Sequence, residues 1–407
     1  MSSSWALAWR NIWRQRRRTW LTVGAMVFSN VLLVFLIAVQ LGSYDMMIDG
    51  TLRTFTGHIQ VQKQGYLETP KMRTTIPAVR EQASLLRSEL GLESIAARAE
   101  GFGLASSEER SFGVQIVGVE SAYEPEVSSL PGLVKQGRWL ADDDAAEVVL
   151  GSVLASNLKL GVGDELTFLG SGRDGSFAAG VATVVGILES GFTPVDRVAA
   201  QVPIGYFDEV FSMQGAGHRI VMATPDISDT ETYRIRAQAL LAEDLVALDW
   251  DALQPGLRQA IRADMISAWF IYAILIVLVA FSVLNTQLMS VLERTREFGT
   301  LLALGIRPRE LGWVVTKETL FMSLVGLALG VGLGGLLILY LSLVGLTFPG
   351  MEEAVAKFNM SPYIYPELSF LSLFWGPLTV FVGTMLAAIY PARRLLRLEP
   401  VEAMRAV

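Results

Sequence analysis

Four stretches of the chain carry no Asp, Glu, Lys, Arg or His: Thr19–Tyr44, Met265–Leu292, Thr319–Met351 and Leu368–Ala392. Each exceeds the roughly 20 apolar residues that a membrane-crossing helix needs. Four such stretches exclude a soluble protein. Between the first and second lies a segment of different grain. GHIQVQK (57–63), FGVQIVGV (112–119), EVVLG (147–151), ELTFLG (165–170), VATVVGIL (181–188) and RIVMAT (219–224) are short, β-branched and often alternating, as strands are. Pro77–Leu90, Ser152–Leu160 and Asp229–Leu245 read as amphipathic helices, and the Gly-rich 170–180 as the loop of a hairpin.

The expected fold class is therefore a membrane protein with four transmembrane α-helices and a large α+β extracytoplasmic (periplasmic) domain inserted between helices one and two. The expected layout is a basic cytoplasmic helix (1–18), transmembrane helix 1 (19–44), the outer domain (45–262), transmembrane helix 2 (265–292) and a cytoplasmic segment (293–311). Transmembrane helix 3 (319–345), an outer loop (346–367), transmembrane helix 4 (368–391) and a cytoplasmic tail (392–407) complete it. The outer domain is long enough to bury a core of its own.

Charge sets the orientation. Residues 1–18 hold five Arg and no acid, 293–318 hold five basic and four acidic residues, and 393–407 hold four basic and two acidic. The segment 45–264 instead carries 18 basic and 31 acidic residues. Excess Lys and Arg in short flanking loops marks the cytoplasmic side, so both termini and the 293–318 loop are expected inside and the acidic domain outside. With an overall charge of −7 and a pI near 5.2, a nucleic-acid partner is excluded. The absence of cysteine removes disulfides, thiolate metal sites and a cysteine nucleophile. A charge at the bilayer centre costs about 2.5–3.5 kcal/mol and is kept where ions or protons pass. Charge-free spans thus disfavour an ion channel or proton-coupled carrier.

Gly326, Gly330 and Gly334 recur at four-residue spacing in helix three, the pattern that lets membrane helices pack closely. Gly330, Gly332 and Gly335 also spell GxGxxG, but no strand precedes them and no acid follows at the right distance, so they are not a dinucleotide site. His58 and His218 lack ligand spacing and read as strand-end or surface residues, and Asp142–Asp144 as a solvated turn; no metal site is expected. Arg14, Arg16, Arg17 and Arg18 suit anchoring of the first helix at anionic membrane lipid.

The segment VLERTREFGTLLALGIRPREL (291–311) follows helix two. Its charges end the apolar run, an apolar patch follows Gly299, and Gly305 and Pro308 stop it. It reads as a short amphipathic helix on the membrane surface, with a plain basic anchor as the competing reading.

ERTREFGTLLALG resembles the cytoplasmic coupling segment of the FtsX/MacB-type (type VII) ABC transporter permeases, with Phe298 in place of the usual Ile and Leu302 in place of a commonly basic residue. Three further pieces agree in order: LAWRNIWRQRRRTWLT at the start, 137–170 in the outer domain, and YPARRLLRLEPVEAMRAV at the end. TGHIQV and GILESGFTPVD are similar to the lipoprotein-releasing LolC and LolE permeases within that family. The resemblance implies a permease subunit that pairs with a second permease, as homo- or heterodimer, above a dimer of separate ABC ATPase subunits, which bind the ATP and Mg. This chain would bind no cofactor and catalyse nothing: no GxxxxGK[ST] phosphate loop occurs in it. Glu293, Arg294, Arg296 and Glu297 would make polar contacts to the ATPase, Leu301, Leu302 and Leu304 would form the apolar docking face, and Gly299 and Gly305 would set the geometry. The implied function is extraction or extrusion of lipoproteins or amphipathic substrates at the outer leaflet of the inner membrane, with a periplasmic carrier or adaptor. A MacB-like efflux permease and an FtsX-like signal transmitter remain the alternatives.

Overall fold

The computed structural model describes residues 2–14, 16–350 and 362–396. Part of the expected outer loop (351–361) and most of the expected tail (397–407) lie outside the described residues. The chain forms two compact units, one of residues 1–44, 261–347 and 363–407, the other of 45–260 and 348–362.

In chain order, α1 (Ser2–Arg14) and α2 (Arg16–Thr51) come first, followed by α3 (Val79–Leu90), α4 (Glu124–Val127), α5 (Ser152–Leu158), α6 (Thr193–Val198), α7 (Ile204–Phe211), α8 (Thr230–Leu240) and α9 (Trp250–Leu253). The chain then continues through α10 (Pro255–Glu293), α11 (Thr295–Ala303), α12 (Pro308–Val344) and α13 (Phe370–Leu395). The strands are β1 (Ile59–Lys63), β2 (Ile95–Ser106), β3 (Ser111–Val119), β4 (Val134–Gly137), β5 (Glu147–Gly151), β6 (Glu165–Ser171), β7 (Phe177–Leu188), β8 (Ala199–Pro203), β9 (Arg219–Met222) and β10 (Leu245–Asp249).

In the first unit, α2, α10, α12 and α13 are long and apolar enough to cross a membrane. A helix satisfies all its own backbone polar groups, which is what hydrocarbon demands. Each overruns its charge-free stretch; α10, for example, begins at Pro255 and passes through Arg258, Arg262 and Asp264 before its apolar part. Met26 and Leu33 of α2 pack with Val279 and Val283 of α10 and Val380 of α13. The start of α13 is fixed by a reciprocal cap between Ser369 and Ser372.

The outer unit is built on one mixed sheet. Strand β2 pairs with β3 along one edge and with β9 and then β6 along the other. Because β3 pairs β8, β8 pairs β5, β5 pairs β7 and β7 pairs β6, the second half of β2 closes a six-stranded ring. Every strand of that ring contributes to one core with α5 and α7, including Ile116, Leu150, Phe168, Val184, Phe207 and Phe211. The first half of β2 instead continues through β9 and β1 to β10, and α3 and α8 cover this part with Val79, Leu86 and Ala237 against Ile59, Ile95, Ile220 and Ala247. The loop read at 170–180 is a hairpin of β6 and β7, paired as far as Ser171 and Phe177.

Both histidines sit at strand starts, but neither is on the surface: each is 1% exposed. Burial without a bond would be costly, and each ring is bonded. His218 Nδ1 accepts from the Glu100 N–H at 2.9 Å, Nε2 lies 3.2 Å from the Met72 carbonyl, and the ring stacks on Tyr66. Burial pushes the His218 pKa down to about 4, so the ring is neutral. His58 Nδ1 lies between the Thr224 hydroxyl and N–H, and its Nε2 is 3.2 Å from Asp49.

Candidate coupling segment on the membrane unit

After α10 the chain turns at Arg294, forms α11, and turns again at Gly305, whose φ of +93° suits glycine and few other residues. Pro308 then occupies the first turn of α12, where its missing N–H matters least. The amphipathic helix expected from the sequence is thus present, and its faces are sorted by what they touch. Phe298 is fully buried with Val291, Leu311, Val315 and Leu395, and Leu301, Leu302 and Ile306 pack against that cluster.

Arg294 is buried, and its Nη1 donates to both carboxylate oxygens of Glu318 on α12 at 3.1 and 3.2 Å. Its Nε lies 3.4 Å from Glu297 and its guanidinium stands over the Phe298 ring. Asn11 of α1 donates to the same Glu318 carboxylate at 2.7 Å. Arg14 pairs with Glu297. Arg18 donates to Ser290 at 2.5 Å and to Glu293 at 3.4 Å. One set of polar contacts therefore ties α1, α11 and α12 together through Arg294 and Glu318, and a second, through Arg18, ties the start of α2 to the end of α10.

These positions revise the residue roles expected from sequence. Arg294, expected to contact the ATPase, and Gly299 are buried, and Leu301 and Leu302 are half-buried against the Phe298 cluster. Glu293, Arg296, Glu297, Gly305 and Leu304 are exposed, Leu304 by 76%. Arg14, though exposed, pairs with Glu297 and Arg18 with Glu293, whereas Arg16 and Arg17 are exposed, Arg16 near Trp13 in a row of exposed Trp5, Trp9, Trp13 and Trp20. Sequence reasoning missed Glu318, Asn11 and Phe298 as parts of the site. Glu318 had one signal, a carboxylate at the very edge of a charge-free stretch.

The glycine stripe of α12 faces α2. A Cβ on Gly326, Gly330 or Gly334 would meet Met26 Cβ at 2.8 Å, Asn30 Cβ at 2.4 Å or Val34 Cβ at 3.1 Å. Asn30 also donates to the Gly326 carbonyl at 3.1 Å. Gly332 faces open space. Gly330→Leu is expected to destabilise the full-length protein by about 1–3 kcal/mol, since overpacking forces backbones apart. Gly332→Leu should be neutral. Equal melting of the two variants in detergent would contradict the packing.

Residues 19–240, more than half of the chain, match the family model of the MacB-like periplasmic core domain, and residues 269–400 match the FtsX-like permease C-terminal model. The chain belongs to the FtsX/MacB-type ABC transporter permeases. An uncharacterised ABC transporter permease of Methanocaldococcus jannaschii is 22% identical over 98% of this chain and 96% of its own length. The macrolide export ATP-binding/permease protein MacB of Campylobacter jejuni is 24% identical over 98% of this chain, which spans only 60% of that relative. The lipoprotein-releasing system transmembrane protein LolE of Haemophilus influenzae is 24% identical over 72% of each chain. Members of this family work with ABC ATPases. The spanning helices and the periplasmic-core match point to the inner membrane.

Proposed function

We propose that this permease uses ATP hydrolysis on a separate ABC ATPase dimer to move its outer domain and extract or extrude lipoproteins or other amphipathic substrates from the outer leaflet, with both termini and α11 on the cytoplasmic side. The observation that carries this reading is the combination of charge-free membrane helices with a large folded outer unit: a substrate that keeps its apolar part in lipid needs no polar channel. Similarity to LolE supports the lipoprotein as substrate class. The exposed residues of α11 and its flanks would receive the ATPase, and the contacts of Arg294, Glu318 and Arg18 would pass its movement to α1, α2 and α12. α2 and α10 run on into the outer unit as unbroken helices.

A second reading is efflux with a periplasmic adaptor, favoured by the similarity to MacB along 98% of this chain. Reconstitution with the ATPase in liposomes separates the two. ATP-dependent release of a lipoprotein or amphiphile into the outer medium is expected. Brisk ATP turnover without release of any such molecule would contradict the extraction reading.

A further inference from the structure

Between the first turns of α12 and the last turns of α13 lies a cavity of about 330 Å³. Arg309 and Arg393 line it with Trp313, Ile389 and Leu396. Both arginines are exposed, and among the described residues no carboxylate lines the cavity. Trp313 is 64% exposed, at the end of a membrane-spanning helix where an indole sits best at the headgroup level. None of these residues takes part in the Arg294–Glu318 network.

We propose that this cavity is a binding site for the headgroup of an anionic phospholipid, with the phosphate held by Arg309 and Arg393 and the start of the acyl chain lying along Ile389 and Trp313. Two guanidiniums on facing helix ends are complementary to a phosphodiester, which they bind through forked hydrogen bonds. The N-terminal end of α12, a helix of 37 residues, adds its positive dipole end to the same place. A basic pocket between helix ends on the cytoplasmic side is how such headgroups are taken up by membrane proteins. The apolar residues on the membrane side of the arginines distinguish a lipid from a free phosphate, which would gain nothing from Ile389 or Trp313. Which leaflet supplies the lipid rests on the proposed orientation.

The test is native mass spectrometry of the full-length protein released from micelles containing phosphatidylglycerol or phosphatidylcholine. The unchanged protein should retain phosphatidylglycerol in preference to phosphatidylcholine. Arg309→Gln/Arg393→Gln should weaken that retention about thirtyfold, the effect of removing two guanidiniums from an anionic surface. Arg80→Gln/Arg197→Gln, which removes two exposed arginines of the outer unit, should leave the retention unchanged. Equal retention of both lipids, or a double variant that retains phosphatidylglycerol unchanged, would overturn the site. So would a double variant that keeps its lipid but no longer binds the ATPase, because the arginines would then serve a protein surface. A wrong orientation would appear in accessibility labelling and would leave these lipid ratios as expected.

Discussion

Glu124→Ala is expected to destabilise the outer unit by about 3–5 kcal/mol, the usual result of leaving a buried charge without its partner. Arg98 and Glu124 are both fully buried; Nε meets Oε2 at 3.0 Å and Nη2 meets Oε1 at 2.6 Å. The third guanidinium nitrogen donates to the Phe55 carbonyl, and the group lies over the Phe55 ring. Phe55 belongs to the π-helical turn 52–56 that continues α2 into the outer unit. Ser128 and Ser129, just beyond Glu124, bond the carbonyls of Thr54 and Arg53 in the same turn. Losing Glu124 should therefore also speed hydrogen exchange at 52–58. Arg98→Met/Glu124→Leu removes both charges and should recover most of the stability, as replacing a whole buried pair often does. Melting of the full-length protein, with exchange read by mass spectrometry, checks both. A loss below about 1 kcal/mol for Glu124→Ala would mean that the Arg98 charge finds water.

Glu318→Ala should have the second large effect, and at the other unit. It strips the buried Arg294 of its carboxylate and Asn11 of its acceptor, so α11 and α1 lose the residue that holds both to α12. ATPase stimulation by the reconstituted complex is expected to fall at least about tenfold, the consequence of about 1.4 kcal/mol or more of lost coupling. Glu318→Gln keeps the shape and the Asn11 bond but not the charge, and should fall between the two. Glu243→Ala, exposed in the outer unit, is the control and should be silent. Full stimulation in Glu318→Ala would show that the network only stabilises the unit.

Much of this was legible because the signals were long. Four charge-free stretches located the membrane helices, and the glycine spacing of α12 located its contact face before any partner was known. The turn signals Gly305 and Pro308 bounded α11 correctly, since both act through backbone constraints that need no tertiary context. What was missed depended on that context. Strand β2, IAARAEGFGLAS, is rich in Ala and Gly and has weak strand character; it is held by pairing on both edges. Strand β10 had no reading of its own, and the helix expected at 229–245 runs five residues past the end of α8 at Leu240, up to the first residue of that strand. The Arg98–Glu124 and Arg294–Glu318 pairs are 26 and 24 residues apart, separations with no local periodicity. An apolar stripe on a surface helix does not announce that Leu301 and Leu302 also pack in part against the chain's own α10, α12 and α13, because those partners lie far along the sequence.

The central claim is that the 293–305 segment is where an ABC ATPase grips the permease. Leu304 is its most open apolar side chain, so a photo-crosslinking residue placed at 304 in whole cells asks the question directly. The account predicts one dominant adduct, to a cytoplasmic ABC ATPase chain, and none to that chain from the same residue placed at the exposed Phe102 of the outer unit. Adducts at 304 only to lipid, or to a protein outside the membrane, would contradict it.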